Sequence, residues 1–346
     1  MNRRRWLLIF ILAAIGGGVW WARRSPERYP NGYIADRSAT LWSATAQVRR
    51  AVGTLGYGEK VSILARAGEL TEVRSADGTV GWVDSRFLMA PALWGRVGQL
   101  LSDARDMPVQ GKGHTRTISN VHIEPGRDSP RIFQFGRNVP LTIVRRQVAA
   151  ASSGGEDGHG GDEPAPSADE KSGQENWALV MYSPVKAAPS SASAAAPGGG
   201  AQTDTGPAMP IAGWILWRFM ELDPPHPIGD YVGAAGRRVV AWTQLNTVPD
   251  PKGDKPQYVV AAAKGGEGQA CDFTSIRVYT WGAARMQYET SFADNNVCGR
   301  LPVRVTQAPA GPEFRFNDPK NVEHAYRLMR TVVRRIGPAG AVRKGK

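Results

Sequence analysis

Val80-Gly-Trp-Val-Asp-Ser-Arg-Phe-Leu88 returns later in the chain as Ala212-Gly-Trp-Ile-Leu-Trp-Arg-Phe-Met220, with Gly, Trp, Arg and Phe identical at an offset of 132 residues. Upstream, Gly53-Thr-Leu-Gly-Tyr-Gly-Glu-Lys-Val-Ser-Ile-Leu64 matches Phe133-Gln-Phe-Gly-Arg-Asn-Val-Pro-Leu-Thr-Ile-Val144 at an offset of 80. The offset grows by 52 residues, close to the combined length of two low-complexity runs, 149–175 and 186–210. Both runs are built mainly from Gly, Ser, Ala, Pro and acids with almost no large apolar side chains, and so bury too little apolar surface to offset the entropy of ordering. Between them WALVMYSP (177–184) reads as one short strand. The runs are therefore insertions within a domain, and the second unit is the first with expanded hairpin loops.

The local pattern of the first unit is that of a strand-rich domain. Val61, Ile63 and Ala65 alternate with Ser62, Leu64 and Arg66, Gly56 and Gly58 mark a turn, and Asp77-Gly78 is a hairpin signal. Gly81 lets the backbone pass close to its neighbours, and Trp82 beside it is expected as a large core anchor. The repeat assigns Trp214 the same role. Ala39-Thr-Leu-Trp42, the block from Ala51 to Leu64, Asp77-Gly-Thr-Val-Gly-Trp-Val83 and Arg86-Phe-Leu88 together resemble the bacterial SH3 domain. The resemblance covers 33–91 well and 119–224 loosely. It implies a small β-barrel in an exported envelope protein, binding peptides or glycans through aromatic-lined grooves. Trp42, Tyr57 and Trp217 are the candidate ligand-binding aromatics.

The chain has 346 residues, of which Gly and Pro make up 65, a composition suited to turn-rich β folds. Its net charge of +12 sits at the two ends: residues 1–24 carry +5, residues 323–346 carry +6, and the body is close to neutral. A nucleic-acid surface needs a basic stripe on a folded face, so no nucleic-acid partner is expected. Arg3-Arg4-Arg5 precedes an uncharged run, WLLIFILAAIGGGVWWA (6–22), followed by Arg23 and Arg24. Two readings compete. A cleaved signal peptide would use Gly16 and Gly18 and secrete the chain to the periplasm. An uncleaved membrane helix, favoured by Trp20, Trp21 and the following arginines, would make a single-pass membrane protein with its bulk on the exported side. The only cysteines, Cys271 and Cys298, are expected to form one disulfide in that oxidising compartment.

Residues 94–106 carry apolar positions at helical spacing and read as a helical connector within 92–118. From 228 to 337 an α+β domain is expected. Strand runs at 238–245, 257–263, 275–281, 286–292 and 302–306 form an antiparallel meander. A C-terminal helix opens at Asp318 with Val322, Tyr326, Met329, Val333 and Ile336 on one stripe. Residues 338–346 form a basic tail. The expected fold is mainly β: two SH3-like small β-barrels, then the α+β domain, behind an N-terminal membrane helix.

No catalytic, cofactor or metal site emerges. Envelope enzymes with bacterial SH3 domains are often cysteine endopeptidases, but Cys271 precedes a strand rather than heading a helix, and no Asp-Cys-Ser-Gly pattern occurs. The ligand-type residues His159, Asp162 and Glu163 lie in the first insertion, where nothing fixes geometry. The expected function is non-catalytic binding or scaffolding in the cell envelope, with peptidoglycan or an envelope protein as partner and the membrane held through the N-terminal helix. The alternative is an envelope hydrolase with an unrecognised site in the C-terminal domain.

Overall fold

The computed structural model describes residues 30–151, 173–184, 207–264 and 271–337, and within them the chain is mainly antiparallel β. The expected membrane helix at 1–24, the basic tail at 338–346 and most of both insertions lie outside the described residues. No helix among the described residues is long and apolar enough to cross a membrane.

The first sheet holds β1 (Asn31–Ile34), β2 (Ser38–Trp42), β3 (Ala51–Gly56), β4 (Lys60–Ala67), β5 (Leu70–Arg74), β6 (Val80–Asp84) and β7 (Leu88–Met89). Its strand order is β3-β2-β6-β5-β4-β1-β7, with one 3₁₀ turn at Ser85–Phe87. Ile34, Leu41, Leu55, Val61, Val73 and Val83, from six different strands, form a single buried cluster. A single sheet whose strands share one core has to curl around it.

Helix α1 (Pro91–Asp106) follows, with Pro91 in its first turn, where a missing N–H costs nothing. The second sheet comprises β8 (Gly111–Thr115), β9 (Ser119–His122), β10 (Arg131–Phe135), β11 (Pro140–Ala150), β12 (Gln174–Tyr182), β13 (Ile211–Leu216) and β14 (Met220–Leu222). Its order, β10-β9-β13-β12-β11-β8-β14, is that of the first sheet strand for strand, down to a 3₁₀ turn at Trp217–Phe219. The register repeats too. Trp82 faces Trp42 and Glu72 across its two neighbours, as Trp214 faces His122 and Leu179. Strand β8 lies inside the stretch read as a connector, so the second sheet begins before residue 119.

The glycine of the repeated motif is required by close approach. A Cβ on Gly81 would lie 2.7 Å from Leu41 and 2.8 Å from the Trp42 carbonyl oxygen; on Gly213 it would strike Val121 and crowd the His122 carbonyl.

The C-terminal part departs from the expected meander plus helix. After a short helix α2 (Ile228–Ala234), β15 (Arg238–Val248), β16 (Lys255–Ala263), β17 (Ser275–Gly282) and β18 (Gln287–Asp294) form one four-stranded meander. A second is formed by β19 (Arg300–Thr306), β20 (Glu313–Asn317), β21 (Glu323–Met329) and β22 (Val332–Ile336). Val259, Ile276 and Val278 of the first pack with Phe314, Phe316, Tyr326 and Leu328 of the second in one cluster. Helix α2 covers part of the opposite face through Ile228 and Val232.

The C-terminal helix expected from Asp318 is thus a hairpin. Asp318 does gather backbone N–H groups, but those of Lys320 and Val322, which build a tight turn with Asn321 at φ 62°. These bonds hold the Asp318 carboxyl below its usual pKa, the Val322 N–H foremost. Arg330, at φ 57°, turns the chain again between Met329 and Val332. The β-branched Val332, Val333 and Ile336 favour that extended edge.

Gln110 joins the second sheet to the C-terminal pair. It is fully buried, its side-chain carbonyl accepts from Val303 N–H at 2.7 Å, and its amide donates to Val303 C=O at 3.1 Å. Its own backbone carbonyl accepts from Trp242 N–H at 2.8 Å.

Candidate functional site

Strand β6 alternates, as strands do. Gly81 and Val83 take the inward positions, which sends Trp82 outward between Val80 and Asp84. Trp82 is therefore half-buried on the outer face of the sheet, and its expected place in the core is corrected. Trp42, directly across on β2, shares that face and is also half-buried. The Arg49 guanidinium lies 4.7 Å above the Trp42 ring, a cation–π arrangement. Glu72 stands opposite Trp82 on its other side, and Arg74 opposite Val80, which is 40% exposed. At the hairpin beyond Val80, Asp77 accepts from Ser75 Oγ and from the N–H and hydroxyl of Thr79. Those bonds, the Ser75 one foremost, lower its carboxyl pKa and keep the turn anionic.

The face thus carries two half-buried indole rings, bordered by guanidinium and carboxylate groups. Such rings give contact area at little entropic cost, and the charged border supplies donors and acceptors for hydroxyls or amides. The described residues include no group of three or more His, Cys, Asp or Glu placed to hold a metal ion.

In the second sheet the corresponding face is closed. Trp214 is buried, though beneath helix α1 rather than inside the curl: it clusters with Ala104 of the helix and with Trp177, Leu179 and Leu216, while Leu100 and Leu101 pack alongside. His122, where the first sheet has Trp42, bonds through Nδ1 to the Ser129 carbonyl at 2.7 Å and stands edge-on to Trp177.

The other two candidate aromatics pack against neighbouring elements. Trp217 is 5% exposed and belongs to the core of the second sheet, with the Arg146 guanidinium 5.2 Å from its ring centre. Tyr57 sits at the joint between the sheets, edge-on to Trp94 of α1 at 5.7 Å and to Phe133 of β10 at 5.0 Å. Its hydroxyl is buried without a hydrogen-bond partner, and burial pushes its pKa up. Trp42 alone among the three lies on an open face, and Trp82, expected inside, joins it there.

Cys271 and Cys298 form a disulfide with Cα atoms 5.0 Å apart, so Cys271 carries no thiol. The sequence reading passed over a second polar concavity, where Arg145 and Arg146 of β11 meet Asp272 and Arg300. Its one signal was the pair of adjacent arginines, Arg145 and Arg146, in a strand run. No family model, curated protein or solved structure matches the chain.

Proposed function

We propose that this chain is a non-catalytic binding protein of the cell envelope. It holds the membrane through residues 6–22 and presents two SH3-like small barrels on the exported side. Peptidoglycan or an envelope protein docks on the Trp42–Trp82 face of the first barrel. The observation that carries this reading is the open pair of indoles, because the repeated motif in the second unit has its tryptophan covered. The disulfide suits an oxidising compartment, and the basic, apolar, basic order of residues 3–24 suits export.

The test is sedimentation of the purified full-length chain, in detergent micelles, with insoluble peptidoglycan, beside affinity capture of a defined set of envelope proteins. Wild type is retained by one of them, and Trp42→Ala/Trp82→Ala loses that retention while keeping its melting temperature within a few degrees. Equal retention of the double variant refutes the assignment of the face. A periplasm-dependent reporter fused after residue 346 checks export separately, and activity only of a cytoplasmic reporter refutes the localisation.

A further inference from the structure

We propose that the seam between the second sheet and the C-terminal pair is a second binding site, for a small organic anion carrying a phosphoryl or carboxylate group on an apolar body. The seam holds a cleft of about 610 Å³, within the roughly 300–1,000 Å³ typical of small-molecule sites. Its charge is unbalanced. Arg145, Arg146 and Arg300 line it against one acid, Asp272.

That acid is already engaged. One oxygen accepts from the Leu301 N–H at 2.8 Å, and the other lies 3.8 Å from the Arg146 guanidinium. Arg146 is 4% exposed, donates to Asn176 Oδ1 at 2.7 Å and lies over Trp217, so it is a fixed part of the wall. Arg145 and Arg300 come from different strands, are exposed, and make no ion pair with a described residue. Two guanidiniums therefore reach one concavity with no counter-charge among the described residues beyond the engaged Asp272.

Apart from the Gln147 amide, the remaining wall, including Met107, Pro108, Leu301 and Pro302, is apolar. Low-dielectric walls focus the field of nearby charges. Guanidiniums pair with planar or tetrahedral oxyanions through parallel N–H···O bonds. A ligand with an anionic head and an apolar body satisfies both surfaces. An adjoining cleft of about 330 Å³ shares Arg300, Leu301 and Pro302. Its own Arg304 is answered by Glu323 and Asn317, so the unanswered charge lies on the β11 side. Gln110, bonded to both halves of the seam, keeps the two walls at a fixed distance.

The test titrates the full-length protein, in detergent at low ionic strength, with phenyl phosphate, benzoate and benzylamine, reading heat of binding. One or both anions bind and the amine of the same shape does not; the two anions separate a phosphoryl from a carboxylate preference. Arg145→Gln/Arg300→Gln weakens the anion by about tenfold or more, the value of one charged hydrogen bond. Arg300→Gln alone keeps the test valid if the double variant does not fold. Failure of both anions to bind, equal binding of benzylamine, or variants that bind within tenfold of wild type overturns the proposal. Trp42→Ala/Trp82→Ala leaves this binding unchanged, which keeps the result separate from that for the aromatic face.

Discussion

The two curled sheets share strand order, register, a crowded Gly-Trp pair and a closing 3₁₀ turn, yet their outer faces are of opposite character. Where the first sheet has Glu72, Arg74 and Asp84 around its tryptophan, the second has Leu179, Met181 and Leu216. Trp177 stands where the first sheet has Leu70. The cause is α1, which lies over β12 and β13 and buries those side chains. Each buried Leu is worth roughly 1.5–3 kcal/mol relative to exposure, so the covered face is part of the second unit's stability. No described helix lies over the first face, which keeps charges beside its rings. A motif that looks the same twice thus serves packing in one copy and presents a surface in the other. What lies above it decides which.

The strongest way to break this contrast is to truncate both tryptophans. Trp214→Ala should cost on the order of 3–5 kcal/mol, while Trp82→Ala should cost about 1 kcal/mol. Denaturant melts of the single variants read the difference, and equal losses would mean that the two faces are alike after all. The shared part of the comparison is tested next. Gly81→Ala and Gly213→Ala should each destabilise by about 1–3 kcal/mol, because each added methyl meets packed neighbours. A loss at only one position would break the equivalence of the units.

The joint between the units gives a smaller, pH-dependent effect. The buried Tyr57 hydroxyl has a raised pKa, so the folded chain keeps its proton after the unfolded chain has lost it. Its contribution is whole below pH about 10 and declines as pH rises beyond that. Tyr57→Phe should remove this alkaline decline and melt at or above wild type at neutral pH, by up to about 1 kcal/mol, since no orphaned hydroxyl remains. Stability measured at pH 8 and pH 11 would show a parallel decline in both proteins if Tyr57 were solvated. The smallest effect concerns the loops that only the second unit carries. Short Gly-Ser replacements within 153–171 and 187–205 should shift stability by less than about 1 kcal/mol, and a collapsed far-UV spectrum would show the contrary.

Much of this fold was legible in the chain. The repeat located both sheets, and the run boundaries from 238 to 306 lie within a few residues of β15 to β19, because Gly, Pro and Asp punctuate strands sharply. The disulfide followed from a count of two. Other features were hidden for physical reasons. The stripe through Tyr326 and Met329 fits a helix as well as a strand pair, and two turn residues at positive φ, Asn321 and Arg330, decide between them. Trp82 was placed on the wrong side because a one-residue shift in strand phase reverses every side chain. Only the crowding at Gly81 fixes that phase. Gln110 and the Arg145–Arg300 cleft depend on contacts between distant segments, which no local pattern records.

Helix α1 also has a consequence for how the protein is made. It leaves the ribosome before either strand it will cover, and both insertions must be translated before β13 appears. At about 5–20 residues per second, the stripe of Leu100, Leu101 and Ala104 waits on the order of ten seconds for its partners. During that interval the first sheet can already be complete, with the apolar stripe of an amphipathic helix trailing from it uncovered. A chaperone that holds such an intermediate would find its binding site in α1 and not in the sheets.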